Sequence, residues 1–272
     1  MATVLDKIFA HKKEELGSTK RNAPLSEIKG RVGQQQTLKD VEKALGAGSS
    51  TRIIAEIKKK TPFKGELRPG FDGLEIARTY AENGAAAISV LTESNYFGGS
   101  IDFLSQVREL VDVPLLRKDF IFDEYQVHEA RAFGADFFLL IATWLDKNHL
   151  RDLLELGKEL GMPALVETHC EKDMEKAFAI GGHLLGINNR DLKTGKTDLG
   201  ISHRLLKMAA QVPKTLMVCE SGIHSAQEIQ ELGELGAHAF LIGESLMKAE
   251  NIAEKLSELR GVKQEEKAEK SP

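Results

Sequence analysis

Residues 133–140 read FGADFFLL: a glycine, two small or polar residues, then a continuous apolar run. A run of that kind suits a strand covered on both faces better than a sheet with one wet face. The arrangement recurs as NGAAAISV (83–90), IGGHLLGI (180–187) and LGAHAFLI (235–242). Each glycine follows a helical pattern, where it fits the left-handed position past a helix end that residues with a Cβ resist. A second series opens strands with proline: VPLLRKDF from Val113, MPALVET from Met162 and VPKTLMVCES from Val212. Proline is tolerated there because the ladder has not yet begun. The two series interleave, each with a period near 50 residues. Consecutive strand starts therefore leave room for one strand, one helix and two loops.

With IIAEIKK at the front, eight strands are expected at 53–59, 86–92, 114–120, 137–142, 163–168, 184–190, 216–222 and 239–245. The intervening segments read as helices. Asp72 with Glu75, and Asp123 with Gln126, resemble capping-box starts, and Ile101, Leu104, Val107 and Val111 form a helical stripe. Eight βα units predict an α/β fold, a (β/α)8 TIM barrel. An open doubly wound sheet fits less well, because the period is so even. Residues 1–50 are expected to add an N-terminal helical extension, with Val4, Leu5, Ile8 and Phe9 on one helix face. Residues 1–262 are read as one domain, and the polar tail KQEEKAEKSP (263–272) as disordered.

A net charge of −4 gives no global attraction to nucleic acid or to an anionic membrane, so any anionic ligand must be held by local basic groups. The two cysteines, Cys170 and Cys219, form neither a disulfide framework nor a metal-ligand spacing. The N-terminal stretch MATVLDKIFAHKKEEL lacks the apolar core of a signal peptide. A cytoplasmic protein is expected. The eight histidines are scattered, with no HExxH and no close pair on a helix face, so no metal site is expected. TGKT (194–197) resembles the end of a P-loop, but Arg190 occupies the position of its first glycine. His169 beside Cys170 reads as loop and core, and Trp144 as packing or ligand contact.

In a barrel the functional groups gather at the carboxyl ends of the strands. Strand alternation puts Ile54, Glu56 and Lys58 on one face of the first strand, with Lys59 on the other. The same logic brings Lys118, Glu167, Asn188, Arg190 and Glu220 to the mouth. Isolated buried charges are costly, whereas alternating lysines and glutamates compensate one another and separate their pKa values, as acid–base chemistry needs. The last two strands end in ESG (220–222) and IGES (242–245), and glycine turns leading into helices suit a phosphate.

The motifs IIAEIKK…TP.KG, LTE..YFGGS, LLRKDFI, GADFFLLI, LVETH, LGINNRDL, ESGI and AFLIGESLM resemble those of the indole-3-glycerol phosphate synthase family, in that family's order. VLDKIFAHKKEEL resembles its extra N-terminal helix. The resemblance implies ring closure of 1-(2-carboxyphenylamino)-1-deoxyribulose 5-phosphate with loss of carbon dioxide and water, without cofactor or metal. It implies Lys118 as the acid in ring closure, and Lys58 as the group that holds the substrate carboxylate and serves as the dehydration acid. Glu56 and Glu167 match the catalytic carboxylates, and Asn188 and Glu220 the residues that position hydroxyls and lysines. Arg190 and Ser221 match supporting polar positions, and Phe97, Phe120, Leu139 and Leu241 the apolar wall. Gly222, Gly243, Glu244 and Ser245 match the phosphate cradle. Thr61 stands where the family usually has a phosphate-contacting serine, and Phe63 where a small residue is usual. A phosphosugar is the implied partner, with no nucleic acid or membrane, and a monomer fits everything read here. Two other readings of the rim are a Schiff-base aldolase-type barrel and a non-catalytic phosphosugar binder.

Overall fold

The computed structural model describes residues 4–33, 35–46, 50–191, 193–212 and 214–262, so the tail 263–272 lies outside the described residues. Eight parallel strands close into a barrel: β1 (Arg52–Ile57), β2 (Ala87–Leu91), β3 (Leu115–Lys118), β4 (Phe137–Ile141), β5 (Ala164–Thr168), β6 (Leu184–Asn188), β7 (Leu216–Glu220) and β8 (Ala239–Ile242). Each strand pairs with its neighbours in chain order, and Ile54 of β1 lies opposite both Ala87 of β2 and Leu241 of β8.

Helices α1 (Val4–Asn22), α2 (Leu25–Val32) and α3 (Val41–Gly46) precede the barrel. After the successive strands come α4 (Gly73–Glu82), α5 (Ile101–Leu110), α6 (Glu124–Ala132), α7 (Lys147–Glu159), α8 (Glu171–Ala179), α9 (Gly200–Ala209) and α10 (Ala226–Glu234). After β8 come α11 (Glu244–Lys248) and α12 (Ile252–Leu259). No helix among the described residues is long and apolar enough to cross a membrane. The glycines of the recurring motif, Gly84, Gly134, Gly181 and Gly236, have φ of +81°, +91°, +76° and +105°, the left-handed region that the repeat requires. Asp72 caps α4 by accepting the Leu74 and Glu75 N–H groups. Asp123 caps α6 through the Tyr125 N–H, while Gln126 takes the Phe122 N–H instead of closing a capping box.

Strand alternation sorts the core into two layers. Ile54, Leu116, Phe137, Leu139, Leu165, Val218 and Leu241 fill the barrel, joined by Val41 and Leu45 of α3. Ile53, Ala55, Ile57, Ile88, Val90, Phe138 and Leu140 face the helices. The eight strands occur where the repeat predicts them, but most end sooner at their carboxyl termini. β1 stops at Ile57, β3 at Lys118, β6 at Asn188, β7 at Glu220 and β8 at Ile242. Local bonding ends them. The Asn188 carboxamide oxygen accepts the Arg190 N–H, and Ser221 and Gly222 turn to φ +65° and +77°. Neither conformation continues a ladder.

The N-terminal extension packs against the barrel at two levels. Leu16 and Ile28 bury with Tyr125 and Ala132 of α6, and Phe9 stacks on Trp144 with ring centroids 4.1 Å apart. Trp144 is therefore a packing residue. The second level is ionic: Lys12 of α1 meets Asp119 at 2.9 Å, Asp119 meets Arg117 at 3.3 Å, and Arg117 meets Glu129 at 2.7 Å. All four are buried. Removing one member of a buried charge set leaves its partner uncompensated, at a cost of about 3–5 kcal/mol. Asp119→Ala is expected to lose stability on that scale, about 3–5 kcal/mol, measured by urea unfolding. A loss below about 1 kcal/mol, the level of a surface pair, would contradict this account.

Candidate active site

The mouth of the barrel holds a cavity of about 570 Å³. Glu56 ends the inward face of β1, Lys118 closes β3, Glu167 lies in β5, Asn188 closes β6 and Glu220 closes β7. All five line the cavity, as does Lys58 just past β1. The Lys118 Nζ donates to Glu167 Oε2 and to Glu220 Oε2, each at 2.8 Å. Lys58 Nζ donates to Glu56. The cluster thus contains three carboxyl groups and two ammonium groups, with Lys118 at its centre. Lys59 points away and is exposed, as the alternation requires.

Burial drives these groups apart in acidity. Desolvation alone would lower the Lys118 pKa, but Glu167, Glu220 and Glu56 outweigh it and raise it, so Lys118 is a firmly protonated ammonium. Glu167 goes down to about 2: burial opposes this, but Lys118 and His169 prevail, with Asn188 hydrogen-bonding the carboxylate. Glu220 goes up to about 8, because burial and the anionic Glu167 and Glu56 together outweigh Lys118. The second Glu220 oxygen, Oε1, is buried and makes no hydrogen bond with protein. A Cβ on Gly186 would fall 2.1 Å from that oxygen, and one on Gly243 would fall 2.4 Å from Glu56 Oε1. The two glycines hold open the space that the carboxyl groups occupy.

One wall of the cavity is apolar: Phe97, Phe120, Leu139 and Leu241 line it, together with Ile8 of α1. Thr61, Ser221, Gly222 and Gly243 also line the cavity, with Arg190 and Glu244. Arg190 donates to the Gly195 carbonyl at 2.7 Å and approaches Glu244 at 3.3 Å. Lys64 and Lys248 also bond to Glu244. Burial would raise the Glu244 pKa, but these lysines pull it down to about 2. Thr61 sits in a short ribbon, Lys60–Thr61 against Gly65–Glu66, and its hydroxyl accepts the Lys64 N–H at 2.9 Å. Of the site residues that the family resemblance implies, Ser245 alone has no place in the cavity lining. Its hydroxyl donates to the Ile223 carbonyl at 2.6 Å and meets His224 Nδ1 at 2.9 Å.

Several lining residues carry no sign of their position in the sequence. Glu93 is buried and accepts the Asn95, Tyr96 and Phe97 N–H groups at 3.1, 2.7 and 2.9 Å, which fixes the loop bearing Phe97. Its place inside the LTE motif is the one signal that marked it. The TGKT stretch is no P-loop, yet Gly195, Lys196 and Thr197 line the cavity. His169 lies in the loop after β5, as expected, with its Nε2 3.4 Å from Glu167 Oε1.

The sequence profile described as indole-3-glycerol phosphate synthase matches residues 5–259. A chain of that name from Roseiflexus sp. (strain RS-1) is 43% identical over 267 residues, covering 96% of this chain and 99% of its own. One from Legionella pneumophila (strain Paris) is 42% identical over 260 residues, covering 95% and 99%. Two solved structures are similar in fold. The 3-hexulose-6-phosphate synthase of Salmonella typhimurium has a TM-score of 0.63 at 15% identity, covering 78% of this chain and 98% of its own. The thiamine phosphate pyrophosphorylase of Pyrococcus furiosus has a TM-score of 0.60 at 17% identity, covering 82% and 97%. At such identities these two speak to the fold alone.

The acidities predict opposite effects of pH on stability. Between the unfolded carboxylate range near 4.3 and about 8, folded Glu220 keeps a proton that the unfolded chain has released. That contribution is therefore lost as pH rises. Glu167 contributes above the unfolded range and loses its contribution as pH falls toward about 2. Urea unfolding of wild type and Glu220→Gln at about pH 5 and about pH 8 isolates the first effect. The wild-type advantage is expected to shrink at the higher pH. A difference independent of pH would contradict a protonated Glu220.

Proposed function

The chain belongs to the indole-3-glycerol phosphate synthase family, and we propose how its mouth residues carry out the reaction named by that family. The protein is a carbon–carbon lyase of tryptophan biosynthesis, acting on a small phosphosugar. One observation carries the assignment of roles: the Lys118 ammonium held at 2.8 Å between Glu167 and Glu220 in the mouth of the barrel.

The substrate, 1-(2-carboxyphenylamino)-1-deoxyribulose 5-phosphate, lays its anthranilate ring against Phe97, Phe120, Leu139 and Leu241. Closing this apolar wall over the ring excludes water and strengthens every charge beside it. Lys58 meets the substrate carboxylate as a charge-assisted donor. The ring carbon bearing that carboxylate attacks the ketone carbon, and Lys118 gives a proton to the carbonyl oxygen as the new bond forms. Carbon dioxide leaves, its bonding electrons restore the aromatic ring, and a hydroxyl remains on the carbon attacked. The nitrogen lone pair then expels that hydroxyl, which takes a proton from Lys58 and departs as water.

As the hydroxyl leaves, the methylene carbon beside the nitrogen becomes strongly acidic, so a carboxylate of low basicity suffices to take one of its protons. The electrons of that C–H bond form the indole double bond, and the nitrogen keeps its hydrogen. Glu167, kept ionised beside Lys118, is assigned that step, with Glu56 holding Lys58. Glu220 and Asn188 position Lys118, Glu167 and the sugar hydroxyls. Phosphate is received by the backbone around Gly222, Gly243, Glu244 and Ser245, with Arg190, Ser221 and Thr61 beside it. Residues 1–262 work as one domain, and the enzyme is a cytoplasmic monomer without nucleic-acid or membrane partners. The net charge of −4 and the free thiols Cys170 and Cys219 support that reading.

Turnover of this substrate is followed by indole fluorescence, and folded protein without turnover would overturn the assignment. Lys118→Ala is expected to reduce kcat by at least about 100-fold, the scale of a general acid, while substrate still binds. Near-normal kcat in that variant would remove Lys118 from its role.

A further inference from the structure

We propose that His169 is a positioning residue for Glu167: an imidazolium that holds Oε1 while Lys118 holds Oε2. The proposal rests on the role assigned to Glu167 above and extends it to a residue outside the cavity lining.

Hydrogen-bond accounting leads to it. The Thr143 hydroxyl has one proton, which it gives to Asp173 Oδ2 at 2.6 Å. That same carboxylate oxygen also receives the His169 backbone N–H at 3.2 Å. Thr143 Oγ1 lies 3.2 Å from His169 Nδ1, and with its own proton committed it acts there only as an acceptor. Nδ1 must therefore carry a hydrogen. The other ring nitrogen, Nε2, is buried, makes no hydrogen bond and lies 3.4 Å from Glu167 Oε1. A neutral ring with its proton on Nδ1 would turn a lone pair toward a carboxylate oxygen. A second proton on Nε2 converts that repulsion into a charge-assisted contact. Glu167 Oε2 is already taken by Lys118 at 2.8 Å, so with an imidazolium beside Oε1 a cation stands on each side of the carboxylate.

The charged groups around the ring agree with a cation. Glu167 lies in β5, two residues before His169, and Asp173 comes from α8. Lys118 is separated from the ring by the Glu167 carboxylate. Lys176 of α8 is turned to the Ala142 and Leu145 carbonyls, in the loop that carries Thr143. Glu171, on the first turn of α8, is exposed and paired with Arg204. Glu167 thus stands beside the ring nitrogen and Asp173 on the backbone N–H of the same residue, while the neighbouring lysines are turned to other partners. The lowered pKa of Glu167 includes a contribution from His169 in the same sense.

Long-range 15N–1H NMR of the imidazole reads the ring directly. At about neutral pH, where an unperturbed histidine is largely deprotonated, both His169 nitrogens are expected to carry hydrogens in the wild type. Glu167→Gln is expected to abolish that state. A neutral ring in the wild type would overturn the proposal whatever the activity. In kinetics, His169→Ala is expected to lower kcat about tenfold or more, as misplaced reacting groups do, with KM nearly unchanged. His169→Gln, which restores an N–H near Nε2, is expected to recover part of that loss and to flatten the pH profile of kcat. Equal impairment by Ala and Gln with a wild-type pH profile would indicate a merely structural histidine. Full activity of Glu167→Gln would instead remove the catalytic role of Glu167, while the NMR result would still judge the contact.

Discussion

A buried ammonium shared by two carboxylates is the constraint on which the mouth depends. Lys118 comes from β3, Glu167 from β5, Glu220 from β7 and Glu56 from β1, the alternate strands of the barrel. In such a barrel, alternate strands contribute one layer of inward side chains. Two residues earlier on the same four strands stand Ile54, Leu116, Leu165 and Val218, all within the inner apolar cluster. A layer of four hydrophobic residues therefore lies directly below a layer of four charged ones. The apolar layer excludes water from beneath, which raises both the cost of each charge and the strength of each pairing. The charges must then balance among themselves, and the raised acidity threshold of Glu220 is how three carboxyl groups coexist with Lys58 and Lys118.

The intervening strands make room for that layer. Gly186 of β6 pairs in register with Glu167 of β5 and with Val218 of β7, and its missing side chain leaves the space beside Glu220 Oε1. Gly243, just past β8, does the same for Glu56. A Cβ at either position would push a carboxyl group out of reach of its lysine. Here glycine serves the packing of charge, whereas Gly84, Gly134, Gly181 and Gly236 serve the turn from helix to strand.

The architecture was legible because its signals are periodic and local. The glycine turns and the proline starts each mark one junction in every βα unit, and strand alternation then sorted Glu56 and Lys58 from Ala55 and Lys59. Strand ends were less legible. Alternation continues on paper through Phe120, Arg190 and Ser221, but side-chain capping by Asn188 and the left-handed Ser221 stop the ladder first. Ser245 follows the same lesson, since its hydroxyl is claimed by the Ile223 carbonyl. His169 was hidden for another reason. Its partners are Thr143 and Asp173, which belong to different βα units or turns and meet only in the folded chain. Lys12 and Asp119 are a still more distant case, 107 positions apart in sequence and 2.9 Å apart in space.

That last pair gives the N-terminal extension a consequence for the mouth. On β3, Leu116 and Lys118 point into the barrel, while Arg117 bonds to the Gln126 carbonyl and to Glu129 of α6. Asp119 continues this outer network, bonding to Thr92 at 2.6 Å and to Lys12 of α1 at 2.9 Å. The end of one short strand is therefore held on both sides of the sheet, by carboxylates within and by a buried ionic network without. Lys118 lies between Arg117 and Asp119 in the chain, so its backbone has little freedom to follow its flexible side chain. Phe9 of the same helix meets Phe120 edge to face at 5.4 Å, immediately beyond. A lysine with four rotatable bonds makes a poorly positioned acid unless its base is fixed. In this protein the extension helps to fix it, so α1 belongs to the active barrel as much as to its covering layer.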